Sequence, residues 1–473
     1  MRYITLAIIL LSCFIPGMAY AQDASAPPSA ADFQRVLDLL AAQQKQIEAL
    51  RAEVKQLREG YTKSSPHAPA PQQNSKQELP PAAAPEELLA NRETPVQLSS
   101  GWNGEHFFIR SADGGFAFEP VGYLQVDHRA YSGDTSATNT FLLRRARFGF
   151  QGQLHRWVQY RVQAELTDQK STLLRDAFIN MDFSPRAMFK VGQFKEPYGQ
   201  EFVTSASDLD FVERSLAYNL APGYSPGVQI WGAFKNGVLK YQIGAFNGKG
   251  PMLNNDSGTP ETVFRLRLSP FKNIGNEWVK GLAVGGAATR GRSTNGTSFA
   301  GTMQSGSFTF FKPVTVNGTV ARTNAEVTWV RGPLGASAEY DQAYQNRDGL
   351  ANNGLNLPRL NAYTGYAQLT YVLTGEKHPE SGPPDPKHPF LGSQGVGAGA
   401  WELKFRYSAM RIGDTLQSAR VDQFSTGFNW YMTSFVSYLF DVNVERLRTP
   451  ISAPVPLRPQ NFITVLSRTQ FRF

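Results

Sequence analysis

The stretch NFITVLSRTQFRF, Asn461 to Phe473, decides the fold. Side chains alternate between the two faces of a β-strand. One face carries Ile463, Val465, Ser467, Thr469, Phe471 and Phe473, and the other carries Phe462, Thr464, Leu466, Arg468, Gln470 and Arg472. An aromatic pair on one face and Arg-Gln-Arg on the other are typical of a strand with lipid on one side and a polar lumen on the other. The stretch predicts the closing strand of a bacterial outer-membrane β-barrel.

The beginning of the chain predicts export. Met1-Arg2 is basic, Ile4 to Met18 is mostly apolar, and Ala19-Tyr20-Ala21 forms an A-x-A cleavage site. Residues 1–21 are therefore expected to be a secretory signal peptide. A lipoprotein signal using Cys13 is the alternative, which the apolar residues after Cys13 disfavour. Since Cys13 is the only cysteine, the mature chain is expected to have no disulfide and no thiolate chemistry.

Residues 22–60 carry apolar side chains at spacings of three and four. The heptad places Phe33, Leu40, Ile47 and Val54 at a, and Val36, Gln43, Leu50 and Leu57 at d. This pattern predicts a helical coiled coil, and a single amphipathic helix packed on the barrel is the alternative. A trimer is compatible with these core residues.

Residues 61–96 are rich in proline and alanine and predict an extended spacer without a core of its own. Together with the helix, the spacer could reach through the periplasm towards the cell wall. A contact of the N-terminal helix with peptidoglycan is therefore possible.

Residues 97–473 read as a series of short alternating segments, which predicts a transmembrane barrel. The segment Val158 to Leu166 alternates polar residues such as Gln and Arg with apolar residues such as Val and Tyr, and Trp401 to Ser408 alternates Glu, Lys and Arg with Trp, Leu, Phe and Tyr. Asn236-Gly237 between two such segments is a hairpin signal. About 375 residues at roughly 23 per strand and connection predict about 16 strands, all-β and antiparallel, in a closed barrel.

Six strings in this region resemble the phosphate-selective porin O and P family of outer-membrane channels. They are RRARFGFQG (Arg144 to Gly152), VGQFKEPYGQE (Val191 to Glu201) with LDFVERSL (Leu209 to Leu216), YVLTGE (Tyr371 to Glu376), WELKFRYS (Trp401 to Ser408), GFNWY (Gly427 to Tyr431) and RTQFRF (Arg468 to Phe473). The resemblance implies a 16-stranded homotrimeric porin with a cationic pore and a third loop folded into it.

The resemblance assigns residues 200–226 to that constriction loop. Its charged residues are Glu201, Asp208, Asp210, Glu213 and Arg214. The loop is more acidic than a pure anion trap requires, which leaves phosphate specificity open.

The polar faces of the predicted strands supply most of the candidate pore-lining, anion-binding residues, and Lys195 joins them by its place at the mouth of the loop. The candidates are Arg145, Arg147, Arg161, Lys195, Arg265, Arg267, Lys404, Arg406, Arg468 and Arg472. Guanidinium groups keep their charge and bind oxyanions with two hydrogen bonds, so a row of them concentrates anions. Alternatively, these cations only pair with carboxylates on neighbouring strands, those of Asp127, Glu165, Asp176, Asp182, Glu402, Asp441 and Glu445.

The sequence predicts a passive, anion-selective outer-membrane porin for small solutes such as phosphate or polyphosphate. It would contact outer-membrane lipid and lipopolysaccharide and use no cofactor. Its histidines show no catalytic or metal-binding spacing, so no enzyme and no metal site are expected. The net charge of +8 would suit nucleic acid, but no binding module accompanies it. Two alternatives remain: a membrane anchor whose coiled coil tethers the cell wall, and a channel for an organic acid or an oligosaccharide.

Overall fold

The computed structural model describes residues 97–473 except 103–105, 134–136, 168–172, 392–394, 416–417 and 449–459. The predicted signal peptide, coiled coil and linker lie outside these residues. Among the described residues, no helix has the length and apolar character needed to cross a membrane.

Alternating segments form long antiparallel strands. The strands are β1 (Leu98–Trp102), β2 (Phe107–Ser111), β3 (Ala117–Gly133), β4 (Thr140–His155), β5 (Val158–Glu165), β6 (Leu174–Ser184), β7 (Ala187–Lys195), β8 (Tyr224–Phe234), β9 (Leu239–Phe246), β10 (Glu261–Leu268), β11 (Leu282–Thr297), β12 (Gly301–Thr302), β13 (Thr309–Phe311), β14 (Thr315–Arg331), β15 (Leu334–Arg347), β16 (Leu357–Val372), β17 (Ala400–Gly413), β18 (Ser418–Tyr431), β19 (Val436–Arg448) and β20 (Gln460–Arg472).

Within the described residues, sixteen of these strands close a barrel: β3 to β11 and β14 to β20. Each pairs with its neighbour in sequence, β11 pairs with β14, and β20 closes the barrel on β3 through pairs such as Arg468 with Asp127. The predicted all-β, closed, antiparallel barrel of about 16 strands is confirmed. The β1–β2 hairpin joins the edge of β3 through two residue pairs.

The two faces of each strand follow the sequence alternation. In β20, Phe462, Arg468 and Gln470 are buried, whereas Ile463 and Phe471 are exposed on the outer surface. An apolar outer band of this kind fits contact with lipid. The hairpin predicted at Asn236-Gly237 is confirmed, since both residues have positive φ in the turn between β8 and β9.

The lumen is not lined by polar side chains throughout. Leu216 and Leu220 pack with Phe299 and Met303 against apolar residues on the inner faces of β14 to β18. These four residues belong to the connections 196–223 and 298–314, which fold inward. Their apolar cluster occupies part of the lumen.

Candidate functional site: a cationic cavity beside the inserted loop

The connection between β7 and β8, residues 196–223, folds into the lumen and is called the inserted loop. It contains a short helix, α1 (Gln200–Val203), and a 3-10 turn at Leu216–Leu220. Since β8 begins at Tyr224, the predicted boundary at residue 226 is wrong by three residues. Strand pairing pulls Tyr224 to Pro226 into the sheet opposite Lys195 to Gln193.

Three strands hold the inserted loop by hydrogen bonds. The backbone N–H of Val212 donates to Asp441 Oδ2 at 2.8 Å. Gln470 Nε2 donates to the Ser207 carbonyl at 2.9 Å. Lys404 Nζ donates to the Asp210 carbonyl at 2.8 Å. The polar inner faces of β17, β19 and β20 therefore satisfy the backbone of a loop that would otherwise be buried without partners.

Glu213 is the centre of the charge network that holds the loop. Its carboxylate lies 2.5 Å from Arg129 Nη2, 2.6 Å from Arg144 Nε and 3.1 Å from Arg468 Nη2. A fourth guanidinium, that of Arg145, lies 3.5 Å away. Burial alone would raise the pKa of the Glu213 carboxyl, but the surrounding guanidinium groups, that of Arg144 foremost, hold it well below its ordinary range.

Two β-bulges direct additional arginines inward. In the β3–β4 ladder Gln125 pairs with Arg145 and Val126 with Leu143, which leaves Arg144 as the extra residue. In the β5–β6 ladder the extra residue is Arg175. A bulged residue leaves the strict alternation of its strand, so its side chain can be redirected. Both arginines reach the lumen, although Arg144 stands at an outward position in the sequence alternation.

A cavity of about 370 Å³ lies between the inserted loop and strands β4 to β8. Its cationic lining residues are Arg144, Arg145, Arg147, Arg175, Lys195 and Arg214. Glu165, which pairs with Arg147, is the carboxylate in this lining, and Glu213 of the loop pairs with Arg144. The residues that line the cavity thus carry more positive than negative formal charge. Such a wall concentrates anions.

The ten cations predicted from the sequence are distributed over the lumen, and only Arg145, Arg147 and Lys195 line the cavity. Nine of the ten lie within 3.9 Å of a carboxylate oxygen. The pairs are Arg145–Glu213, Arg147–Glu165, Arg161–Asp176, Arg265–Glu326, Arg267–Glu326, Lys404–Asp441, Arg406–Glu201, Arg468–Asp127 and Arg472–Asp208. Lys195 Nζ instead donates to the carbonyls of Phe202 and Thr204. Anion binding by these ten residues stays a prediction.

The acidic residues of the predicted constriction loop contact the barrel wall. Glu201 pairs with Arg406 on β17, Asp208 with Arg472 on β20, and Asp210 accepts a hydrogen bond from Gln368 on β16. Arg214 instead donates to the carbonyls of Glu201 and Thr204 within the loop. The acidic residues of the loop therefore anchor it to the barrel wall.

Another part of the lumen wall is acidic. Glu339 on β15 accepts hydrogen bonds from the Glu201 backbone N–H at 2.6 Å and from Tyr366 at 2.8 Å. Asp341 accepts one from Asn324. Both carboxylates belong to β15, whereas the cationic cavity lies against β4 to β8.

The connection between β16 and β17, residues 373–399, also sends side chains towards the inserted loop. His378 Nε2 lies 3.7 Å from Asp210 Oδ1 and 3.2 Å from Glu402 Oε1. Burial alone would lower the pKa of His378, but the adjacent carboxylates raise it to about 11. Residues 210, 378 and 402 are far apart in sequence, so their spacing offers no sign of this cluster.

A closed 16-stranded barrel with an apolar outer surface and a charged lumen defines an outer-membrane channel of the porin class. The family model described as phosphate-selective porin O and P matches residues 121–473. The chain therefore belongs to this family, as its sequence motifs indicate, and lies in the outer membrane. Barrel and family together indicate a channel rather than an enzyme.

Porin O of Pseudomonas aeruginosa is 23% identical over 375 residues, which cover 69% of this chain and 82% of that protein. Two solved structures align with this chain. The trimer form of OmpT, an outer membrane protein of Vibrio cholerae, aligns with a TM-score of 0.50 and 10% identity over 76% of this chain and all of that one. The outer membrane channel DcaP of Acinetobacter baumannii aligns with a TM-score of 0.49 and 9% identity over 77% of this chain and 99% of that one.

Proposed function

We propose that the barrel is a passive, anion-selective channel and that the cationic cavity is its principal anion site. The observation that carries this proposal is the excess of positive charge in that cavity. Its cations come from three strands, β4, β6 and β7, and from the inserted loop, so an anion that passes the loop on this side meets several guanidinium groups together.

Phosphate and polyphosphate are the solutes that this cavity suits. A guanidinium group binds an oxyanion with two parallel hydrogen bonds and is weakly hydrated, so it exchanges water for a phosphate oxygen readily. The hydroxyl of Tyr224, 3.1 Å from Arg147 Nη1, adds a neutral donor. Several sites of modest strength favour conduction, since a single deep site would hold the ion too long.

A homotrimer in contact with outer-membrane lipid and lipopolysaccharide is part of the proposal. The trimer form of the similar OmpT structure and the family resemblance support it. Light scattering of the detergent-purified protein tests it, and a monomeric mass would refute it. The coiled coil and its contact with peptidoglycan concern residues outside the described range and stay predictions.

Reversal potentials in planar bilayers test the selectivity. Under asymmetric chloride and then phosphate salts, the wild type should favour anions, and added phosphate should block chloride current. The double variant Arg144→Gln/Arg175→Gln removes the two bulged charges, so the anion-to-cation permeability ratio should fall several-fold and block by phosphate should weaken at least 10-fold.

Arg420→Gln/Arg448→Gln is the matched control. These arginines flank Asp422, their side chains are about half exposed, and they do not line the cavity. The control removes the same formal charge and should change selectivity much less. Cation selectivity of the wild type, or equal effects of the two double variants, would refute the proposal.

A further inference from the structure

Three potential metal ligands meet where the inserted loop, the connection 373–399 and strand β17 come together. They are Asp210, His378 and Glu402, and one ligand atom of each lies within 4.8 Å of the other two. Around a tetrahedral zinc ion with bonds of about 2.0–2.1 Å, ligand atoms are separated by about 3.3 Å. The distances from His378 Nε2 to Glu402 Oε1, 3.2 Å, and to Asp210 Oδ1, 3.7 Å, are close to that value.

Neighbouring groups orient each ligand. His378 Nδ1 lies 2.7 Å from the Pro379 carbonyl, which can only accept, so the Nδ1 proton points there and Nε2 presents a lone pair in the neutral ring. Glu402 Oε2 accepts from Tyr431 at 2.6 Å and from Asn429 at 2.8 Å. Outer partners of this kind are typical of metal ligands.

The remaining ligand atoms face one another. Apart from this cluster, Glu402 Oε1 and His378 Nε2 have no hydrogen-bond partner among the described residues, and the Glu402 side chain is fully excluded from solvent. On Asp210, Oδ2 accepts from Gln368 at 3.0 Å, and Oδ1 faces the imidazole. When the buried lone pair of His378 Nε2 faces the carboxylates of Glu402 and Asp210, a positive charge is needed between these three groups.

We propose that Asp210, His378 and Glu402 bind a divalent transition-metal cation of the zinc class. One imidazole nitrogen and two carboxylate oxygens suit Zn²⁺, Co²⁺ or Ni²⁺ better than Ca²⁺ or Mg²⁺, which prefer oxygen alone. A proton on His378 Nε2 is the other possible source of the positive charge, and the experiment below distinguishes a bound metal from a bound proton.

The surroundings leave room for the ion. Asp210 and His378 line a cavity of about 70 Å³, which admits water as the fourth ligand. Gly335 on β15 makes space for the imidazole, because a Cβ there would lie 2.8 Å from both Cε1 and Nε2 of His378. A metal at this place would link three chain segments across the lumen, so it would hold the connection 373–399 against the inserted loop whatever the solute is.

Zinc binding to the detergent-purified full chain tests the proposal. The chain is expressed without a histidine tag, treated with a chelator and titrated with Zn²⁺ at pH 7.5, and bound metal is counted by mass spectrometry. We expect one zinc per chain. His378→Gln and Glu402→Gln should each weaken binding at least 10-fold, since each removes a ligand. Gly335→Ala keeps all three ligands but displaces the imidazole, so it should weaken binding too.

His388→Gln is the matched control, because His388 is exposed, lies in the same connection and is not part of the cluster. It should bind zinc as the wild type does. Titration of the wild type with Co²⁺ adds a measurement that does not depend on the folding of any variant, since visible absorption reports imidazole and carboxylate coordination. Wild-type binding no tighter than that of His378→Gln, or the absence of a one-to-one Co²⁺ spectrum, would overturn the proposal in favour of the proton.

Discussion

Replacement of Glu213 by glutamine should release the inserted loop from the barrel wall. The carboxylate is almost fully buried and lies within 3.5 Å of four guanidinium groups, of which Arg129, Arg144 and Arg468 donate hydrogen bonds to it. Glutamine keeps the shape and one acceptor oxygen but removes the negative charge. The four arginines would then repel one another at the point where the loop meets β3, β4 and β20.

The expected magnitude follows from the burial of this network. Removal of one partner from a buried ion pair destabilises a structure by about 3–5 kcal/mol. Glutamine still accepts a hydrogen bond and lumen water can solvate the arginines, so the lower figure applies. Since about 1.4 kcal/mol is a factor of ten, about 3 kcal/mol raises the released fraction of the loop roughly 100-fold.

Cysteine labelling measures that fraction. Ala206 lies in the inserted loop with 3% of its surface exposed, and Cys13 is the only cysteine of the chain. In an Ala206→Cys background, the maleimide labelling rate follows the released fraction when opening is fast. It should rise about 100-fold with Glu213→Gln. The control Glu277→Gln removes an exposed carboxylate that pairs with the exposed Lys280 and should leave the rate unchanged. A change below 3-fold with Glu213→Gln would refute this account of the network.

Three further predictions concern acid, a buried lysine and a glycine. Because the arginines hold the pKa of Glu213 well below its ordinary range, the stability that its charge provides is complete above about pH 4.3 and is lost only as the pH falls through the lower folded value. Maleimide reacts with the thiolate, so the Ala206→Cys labelling rate is divided by that of a small free thiol at the same pH, and this ratio should stay constant from pH 7 to about 4.5. A rise in the ratio near pH 6 would contradict the prediction. Lys404→Met should lower the free energy of unfolding, measured by urea titration, by about 3–5 kcal/mol. The substitution leaves the buried Asp441 carboxylate, which lies 2.5 Å from Lys404 Nζ, without its cationic partner. Lys280→Met, which breaks an exposed pair, should not lower the free energy of unfolding. Gly427→Ala should lower the free energy of unfolding by about 1–3 kcal/mol, since the added Cβ would collide with the Phe440 carbonyl on the next strand. Gly275→Ala, where an added Cβ has no atom nearby, should have little effect.

The barrel and the inner face of its strands could be predicted from sequence because both depend on a local period. Alternation places Glu402, Lys404 and Arg406 on one face of β17 wherever that strand lies, and all three are buried in the lumen. The position of the inserted loop came from family motifs and not from periodicity. Its acidic residues could be listed, but their partners could not, since each partner comes from a distant strand.

The cationic cavity could be predicted only in part. Arg145, Arg147 and Lys195 were among the candidates, whereas Arg144 and Arg175 were not. A bulge changes the register of one strand pair at one residue, and that choice depends on the neighbouring strand and on loop contacts such as the one between Arg144 and Glu213. The alternation within a single strand therefore does not show where a bulge occurs.

The sequence by itself determined an exported, antiparallel barrel with an apolar outside and a cationic inner face, because a two-residue period specifies both faces of every strand at once. Only the tertiary structure decided which charged side chains lie close together. It brought Glu213 to four arginines, set Arg144 and Arg175 beside Lys195, and placed His378 between Asp210 and Glu402. Charges act through space, and the distances between them are set only when the barrel closes and its connections fold inside.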